Sequence, residues 1–242
     1  MHCARKSASY QKMILGNLVL AVIPARGGSK SIKLKNLMKF KKQPLVAHVG
    51  QVIRRCPWID YSVVSTDHKI IAKVALRSGV NGLIRRPKKL SGDFVGDNVV
   101  LRHAVQTLEK KIQKKFQIIL MLQPTSPLRT PTLLRSAVVK MVRDKADSVW
   151  TVTQASLKFH PEKALIVKNG NLQYFSPSGK KILARQQLQT TYIRNGLVYG
   201  ITRNCLFRQT HLLGKRCSII ISKGHVLNID DRQEVLDYLQ KK

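Results

Sequence analysis

The sequence predicts an α/β protein with a mostly parallel sheet and helices on both faces. Three observations carry this expectation. Strand-like apolar runs alternate with segments of helical period along most of the chain. The first run, "LVLAVIPA" (18–25), is apolar throughout, as befits a parallel strand covered on both faces. The runs also end in polar residues, at 26–30, 65–67, 123–126 and 228–231. In parallel sheets, ligands sit beyond such carboxyl ends.

The elements follow in order. After the first strand, "QPLVAHVGQVIRRC" (43–56) reads as a helix with one apolar side, and "YSVVSTD" (61–67) as a second strand. "HKIIAKVALRSGV" (68–80) is a helix closed by glycine. "VVLRHAVQTLEKKIQKK" (99–115) is a helix and "FQIILMLQPTSP" (116–127) a strand. "TPTLLRSAVVKMVRDK" (130–145) is a helix with proline in its first turn, and "SVWTVTQ" (148–154) a strand. "EKALIVKNGNLQYF" (162–175) reads as a hairpin turning at Asn169-Gly170. The strands "TYIRNGLVYGITR" and "CSIIIS" follow, then a last helix, "DRQEVLDYLQKK", capped by Asp230 or Asp231. No internal repeat or low-complexity linker interrupts them.

Composition bounds the function. The 242 residues suffice for one large α/β domain or two small ones, and 43% hydrophobic residues can fill a core. Lys and Arg number 44 against 12 Asp and Glu, a formal charge of +32, which attracts polyanions of any kind without choosing among them. Cys3, Cys56, Cys205 and Cys217 lack C-x-x-C spacing, which argues against a metal site or disulfide framework and for a reducing cytoplasm. No apolar run has the length of a membrane span. Residues 1–17 form a basic extension without a signal-peptide core, translation starting at Met1 or Met13, and residues 18–242 form the domain.

The first strand breaks into a cationic glycine loop: Ala25, Arg26, Gly27, Gly28, Ser29, Lys30. Glycines let backbone N–H groups approach a phosphate, and Arg26 and Lys30 add full charges. The loop is neither G-x-x-x-x-G-K-[ST] nor G-x-G-x-x-G. The competing reading is a plain strand-to-loop turn in a chain that places cations everywhere.

The stretch "IPARGGSKSIKLKN" (23–36) resembles the nucleotide-binding signature of the acylneuraminate cytidylyltransferases, the CMP-N-acetylneuraminic acid synthetases, roughly A-R-x-x-S-K-G-x-x-x-K-N. The likeness continues through "VVSTD" (63–67), "RRPKKLSGD" (85–93), "MLQPTSPLRT" (121–130), "ARQQLQTTYIRNGLVY" (184–199) and "LNIDD" (227–231). Related cytidylyltransferases for pseudaminic acid and Kdo usually differ in the first loop, in Q-P-T-S-P-L-R-T, or in both. The resemblance implies a Rossmann-like nucleotidyltransferase in which the anomeric hydroxyl of a nonulosonic acid attacks the α-phosphorus of CTP and pyrophosphate leaves. It assigns Ala25, Arg26, Gly27, Lys30, Lys35, Asn36 and Arg86 to the nucleotide, with Arg26, Lys30 and Asp230 as catalytic groups. It assigns Gln123, Thr125, Ser126, Arg185, Asn195 and Tyr199 to the sugar acid. A small β-rich excursion at about 150–192 is expected to make a homodimer.

The family places a D-x-D before the last helix, holding Mg²⁺, with Mn²⁺ as a substitute. Here it reads Asn228-Ile229-Asp230, with Asp231 next. Asp230 is then a metal ligand or a mere helix cap, and Asn228 a neutral ligand or a holder of metal-bound water. Asp231 cannot replace Asn228, because adjacent side chains on an extended segment point opposite ways. Ser31 and Lys33 stand where the family has Gly and Pro, and His68 and Lys69 where it often has acids. His48, His103 and His160 lack metal spacing, and Trp58 and Trp150 read as packing residues. Two rival functions stay open: a weakened transferase-like scaffold binding polyanions such as nucleic acid without specificity, and the same reaction on legionaminic or another related acid.

Overall fold

The computed structural model describes residues 14–29, 31–223, 226–231, 233, 234, 236 and 238. The chain runs β1 (Val19–Pro24), a short arm of β2 (Lys39–Phe40) and β3 (Gln43–Pro44), α1 (Leu45–Arg54), β4 (Tyr61–Thr66), α2 (Lys69–Ser78) and β5 (Gly82–Arg85). It continues with α3 (Asp97–Ile112), β6 (Ile118–Met121), α4 (Pro131–Arg143) and β7 (Ser148–Gln154). A hairpin of β8 (Leu165–Lys168) and β9 (Asn171–Tyr174) precedes β10 (Tyr192–Thr202), α5 (Arg203–Arg208) and β11 (Cys217–Ile221). Seven strands form one sheet in the order β11-β7-β10-β6-β1-β4-β5. Neighbours pair in parallel except β10, which runs antiparallel to both β6 and β7. This is the mostly parallel, two-faced sheet that the alternating pattern predicts.

The apolar run of β1 divides by parity, as a pleated strand must. Val19, Ala21 and Ile23 join α1, α2 and α4 in one core, while Leu20 and Val22 join α3 and α5 in the other. Burying both sets is what makes the strand apolar throughout. Helices α1 and α2 touch closely: Gly79 ends α2 at φ 120°, and a Cβ there would lie 2.8 Å from the Gly50 carbonyl. Thr130 caps α4 by accepting from the Leu133 N–H at 3.2 Å, with proline at the first turn as read from the sequence. The Asn169-Gly170 turn has both residues at positive φ, 52° and 75°, the requirement of a tight hairpin.

The structure adds elements that periodicity does not reveal: the edge strand β5, the two-residue arm β2–β3, and the short helix α5. Each is too short to show a period. Trp150 lies within β7, inside the main sheet, so the excursion occupies 155–191. Ile14 is buried in the core with α1 and α4, so the fold takes in residues ahead of Leu18. Most of the expected last helix lies outside the described residues. Asp231 nevertheless accepts from the Glu234 N–H at 3.0 Å, so the capping carboxylate is Asp231 and not Asp230. No helix among the described residues is long and apolar enough to cross a membrane.

Candidate active site

The carboxyl ends of β1, β5 and β6 open into a cleft of about 620 Å³, at the position where open α/β sheets bind ligands. One wall carries Arg26, Ser31, Lys35 and Asn36 from the glycine loop, with Arg86 after β5. The facing wall carries Gln123, Thr125, Tyr199, Asn228 and Asp230. Strand ends far apart in sequence therefore converge on one space.

On the first wall the cations are held by carboxylates. Arg26 Nη1 lies 2.8 Å from Asp93 Oδ1, and Lys35 Nζ lies 3.0 Å from Asp230 Oδ1. Asn36 donates its amide to the Arg26 carbonyl at 2.9 Å, bending the loop back on itself. Arg86 is buried and donates to Ser65 through both Nε, at 3.2 Å to the hydroxyl, and Nη2, at 2.8 Å to the carbonyl. Burial lowers its pKa, and Asp67 and Asp97 oppose that shift.

The second wall is built from a chain of hydrogen bonds that ends at the Asp230 carboxylate. Ser126 Oγ is buried, 3.1 Å from both the Asn195 carbonyl and Asn228 Oδ1. Asn228 Nδ2 donates to Asp230 Oδ2 at 2.7 Å. The Gly196 N–H donates to the Tyr199 hydroxyl at 2.9 Å, and burial raises that phenol's pKa. A side chamber of about 240 Å³ opens beyond Tyr199 between Trp150, Leu212 and Leu213, with His211, Arg194 and Asp97 at its polar end.

Several residues assigned from the sequence lie away from the cleft or have their donors already engaged. Ala25 is buried, and its N–H is spent on the Ser65 carbonyl at 3.0 Å. The Gly27 N–H is taken by Asp67 Oδ1 at 2.8 Å, so neither amide is open to a phosphate. Asn195 is buried, with its amide 3.1 Å from both Thr153 Oγ1 and Ser222 Oγ, so it braces β10 instead of facing the cleft. Ser126 supports the wall from behind. Arg185 lines a different cavity, within the excursion, beside Glu162 and Tyr174. Asn228 turns its amide nitrogen toward the Asp230 carboxylate and its oxygen toward Ser126 Oγ. Lys30 lies outside the described residues.

Sequence reasoning passed over Asp93, Asp97 and Arg194, which line the cleft. A signal was available. With 12 acids in 242 residues, two of them four positions apart after R-P-x-x-L mark a selected spot. Asp97 lines both the cleft and the side chamber. Burial raises its pKa, while Arg194 and Arg86 pull it back. Its carboxylate makes no hydrogen bond or ion pair within 4 Å among the described residues.

No cluster of three or more His, Cys, Asp or Glu able to hold a metal occurs among the described residues. Asp230 alone offers a cleft-facing carboxylate on this wall, 63% exposed. One carboxylate suits Mg²⁺, which keeps waters and takes its remaining oxygens from substrate phosphates.

Known proteins bear on this site. Residues 20–217 match the family model described as cytidylyltransferase. Pseudaminic acid cytidylyltransferase of Campylobacter jejuni is 27% identical over 218 residues, covering 89% of this chain and 92% of the relative. CMP-N,N'-diacetyllegionaminic acid synthase of Legionella pneumophila is 38% identical over 143 residues, 58% of this chain and 60% of the relative. N-acylneuraminate cytidylyltransferase of Escherichia coli O18:K1:H7 is 26% identical over 220 residues, and the matched part makes up 50% of that longer protein. In fold, the chain is similar to CMP:2-keto-3-deoxy-manno-octonic acid synthetase complexed with CTP, at TM-score 0.64 and 18% identity, over 93% of this chain and 98% of that one. A match over residues 20–217, most of the chain, means that the chain belongs to the cytidylyltransferase family.

Proposed function

We propose that this nucleotidyltransferase joins CMP from CTP to a nonulosonic acid of the sialic, legionaminic or pseudaminic type and releases pyrophosphate. The observation that carries the reading is the two-walled cleft, with cations from the glycine loop facing Gln123, Tyr199 and Asp230. The relatives that act on such acids support it. The anomeric hydroxyl attacks the α-phosphorus, the bond to the β-phosphate oxygen breaks, and the hydroxyl proton passes to solvent in the open cleft. Arg26, Lys35 and Arg86 stabilise the negative charge that shifts onto the phosphoryl oxygens and leaving group. To do so, Arg26 and Lys35 exchange Asp93 and Asp230 for the triphosphate. Lys30, from the same loop, is assigned this role by the sequence alone.

Asp230 would hold Mg²⁺ or Mn²⁺, and the ion would neutralise charge on the phosphates. Asn228 aims that carboxylate. Gln123 and Tyr199 border the acceptor, and Arg194 suits its carboxylate. Asp97 accepts a hydrogen bond from the acceptor, and the apolar side chamber beyond it receives a substituent. The buried free thiols of Cys56 and Cys205 support a reducing, cytoplasmic setting.

The excursion supports a homodimer. Val167, Leu172, Phe175 and Leu183 stand 63–91% exposed there, more apolar surface than a lone hairpin usually leaves in water. Arg185, remote from its own cleft, would then serve the neighbour's. Pyrophosphate release, measured with each nucleoside triphosphate against a panel of nonulosonic acids, tests the reaction. Turnover confined to CTP and such an acid is expected, and equal use of ATP would reject it. Light scattering tests the assembly, with a fully active monomer as the rejecting outcome.

A further inference from the structure

Arg129 is buried, makes no ion pair among the described residues, and has no part in the chemistry above. Its Nε donates to the Leu197 carbonyl at 2.9 Å, and its Nη2 donates to the carbonyls of Gly196, at 3.3 Å, and Gln123. Nη1 has no hydrogen-bond partner. A buried cation served only by carbonyl dipoles is costly to fold, so its place calls for a reason.

The carbonyls supply one. The pairing of β10 with β7 shifts register between Arg194 and Tyr199, so Gly196 and Leu197 lie where the ladder is interrupted. Gln123 lies just past the end of β6. A planar guanidinium reaches all three oxygens at once, which a lysine ammonium cannot do with the same geometry. The pinned bulge in turn shapes the acceptor wall. Gly196 sits at φ 73°, and a Cβ there would overlap Ser126 Oγ and stand 3.1 Å from Gln123 Oε1 and 3.2 Å from Asn228 Oδ1. Ser126 bonds Asn228, and Asn228 bonds Asp230.

We infer that Arg129 is a positioning residue for the transfer: by tying the end of β6 to the bulge of β10 it fixes Gln123, Ser126 and Asn228, and through Asn228 aims Asp230. This rests on the reaction proposed above. It acts on the acceptor and metal half of the cleft, leaving the nucleotide half alone.

The test uses the full chain as Arg129→Lys, which keeps the charge and loses the fork, and as Gly196→Ala, which disturbs the same wall while leaving Arg129 in place. Thermal unfolding, CTP affinity by calorimetry, and steady-state constants for each substrate are measured. For both variants the expected result is CTP affinity within about threefold of wild type, with kcat/KM for the acid down about 100-fold and the apparent Mg²⁺ requirement raised. Normal kinetics for Arg129→Lys would mean that charge alone suffices and would overturn the inference. Equal loss of CTP affinity and acid efficiency, or failure of both variants to fold, would make Arg129 a purely structural residue and overturn it as well. Amide exchange keeps this apart from the reaction itself. If wild type turns over no acid, faster exchange in Arg129→Lys at residues 123–126 and 195–197, but not at 26–36, still supports the pinning, and uniform exchange rejects it.

Discussion

The two walls of the cleft are held by different physics. On the nucleotide side, Arg26 and Lys35 are paired with Asp93 and Asp230 by partly exposed ion pairs. Such pairs are worth roughly 0–1 kcal/mol and give way readily to a better anion. On the proposed acceptor side, Gln123, Ser126 and Asn228 are set by hydrogen bonds from the Ser126 hydroxyl and the buried Arg129 guanidinium. Leaving one of those partners unmade costs about 1–3 kcal/mol, so that wall stays put. Groups that must exchange partners with a triphosphate are held weakly. Groups that must aim an acceptor are held firmly.

Four substitutions press on this contrast. The largest effect is expected at Asp230, where the two walls meet. Asp230→Ala should lower kcat by at least about 1,000-fold while Tm moves little, since Asp231 does the capping. Turnover and melting of the purified variant decide it, and near-normal activity would remove Asp230 from the reaction. Asn228→Asp comes next. It puts a second carboxylate beside Asp230, whose oxygen now accepts from the Asn228 amide at 2.7 Å. Like charges so close favour a dication between them, so the Mg²⁺ concentration for half-maximal rate should fall about tenfold. A metal titration showing weaker use would make the amide an adaptation for aiming the carboxylate.

Asp93→Asn should have a smaller effect of opposite sense. It frees Arg26 from its resting partner, so CTP should bind about two- to fivefold more tightly, the scale of an exposed ion pair. Calorimetric titration checks this, and weaker binding would mean that Asp93 presents Arg26 to the phosphate instead of competing for it. The smallest effect is thermal. Burial raises the folded pKa of Asp97, so its ionised form opposes folding at neutral pH. For wild type, that cost disappears as pH falls through the raised value. Asp97→Asn should therefore raise Tm by roughly 1–3 °C at pH 7, with the gain shrinking on acidification, and should impair use of the acid. A Tm that falls at pH 7 would contradict the sign.

The charge imbalance reads differently once the acids are placed. With 44 basic and 12 acidic residues, a loss of surface acids leaves the ones that do a task. Asp60 holds the Val19 N–H at the start of β1, Asp147 holds the Arg216 N–H, and Glu109 clamps Arg203. Asp93, Asp97 and Asp230 line the cleft, and Asp67 holds the Gly27 N–H of the adjoining loop. Three carboxylates lining the cleft would repel a bare polyanion, which favours the transferase over a polyanion-binding scaffold.

Sequence by itself determined the sheet, its two covered faces and the segments that line the site. β1 is apolar because both faces are buried, and Arg26 and Gln123 follow the ends of β1 and β6 because ligands sit beyond such carboxyl ends, whereas Asp230 reaches the cleft from a segment that follows no strand end. Those signals are local: period, polarity and turn residues act within a few positions of each other. Which side chain faces the cleft was decided only by tertiary structure. Asn195 and Tyr199 lie four residues apart on β10 and are both buried, yet across the bulge at Gly196 only Tyr199 borders the cleft. Gly27 looks like a phosphate donor until Asp67, forty residues away, takes its N–H. Arg129 reads as the end of a motif until the carbonyls it ties prove to come from strands about 70 residues apart. Hydrogen-bond partners depend on where distant segments land, and no residue announces that in its own neighbourhood.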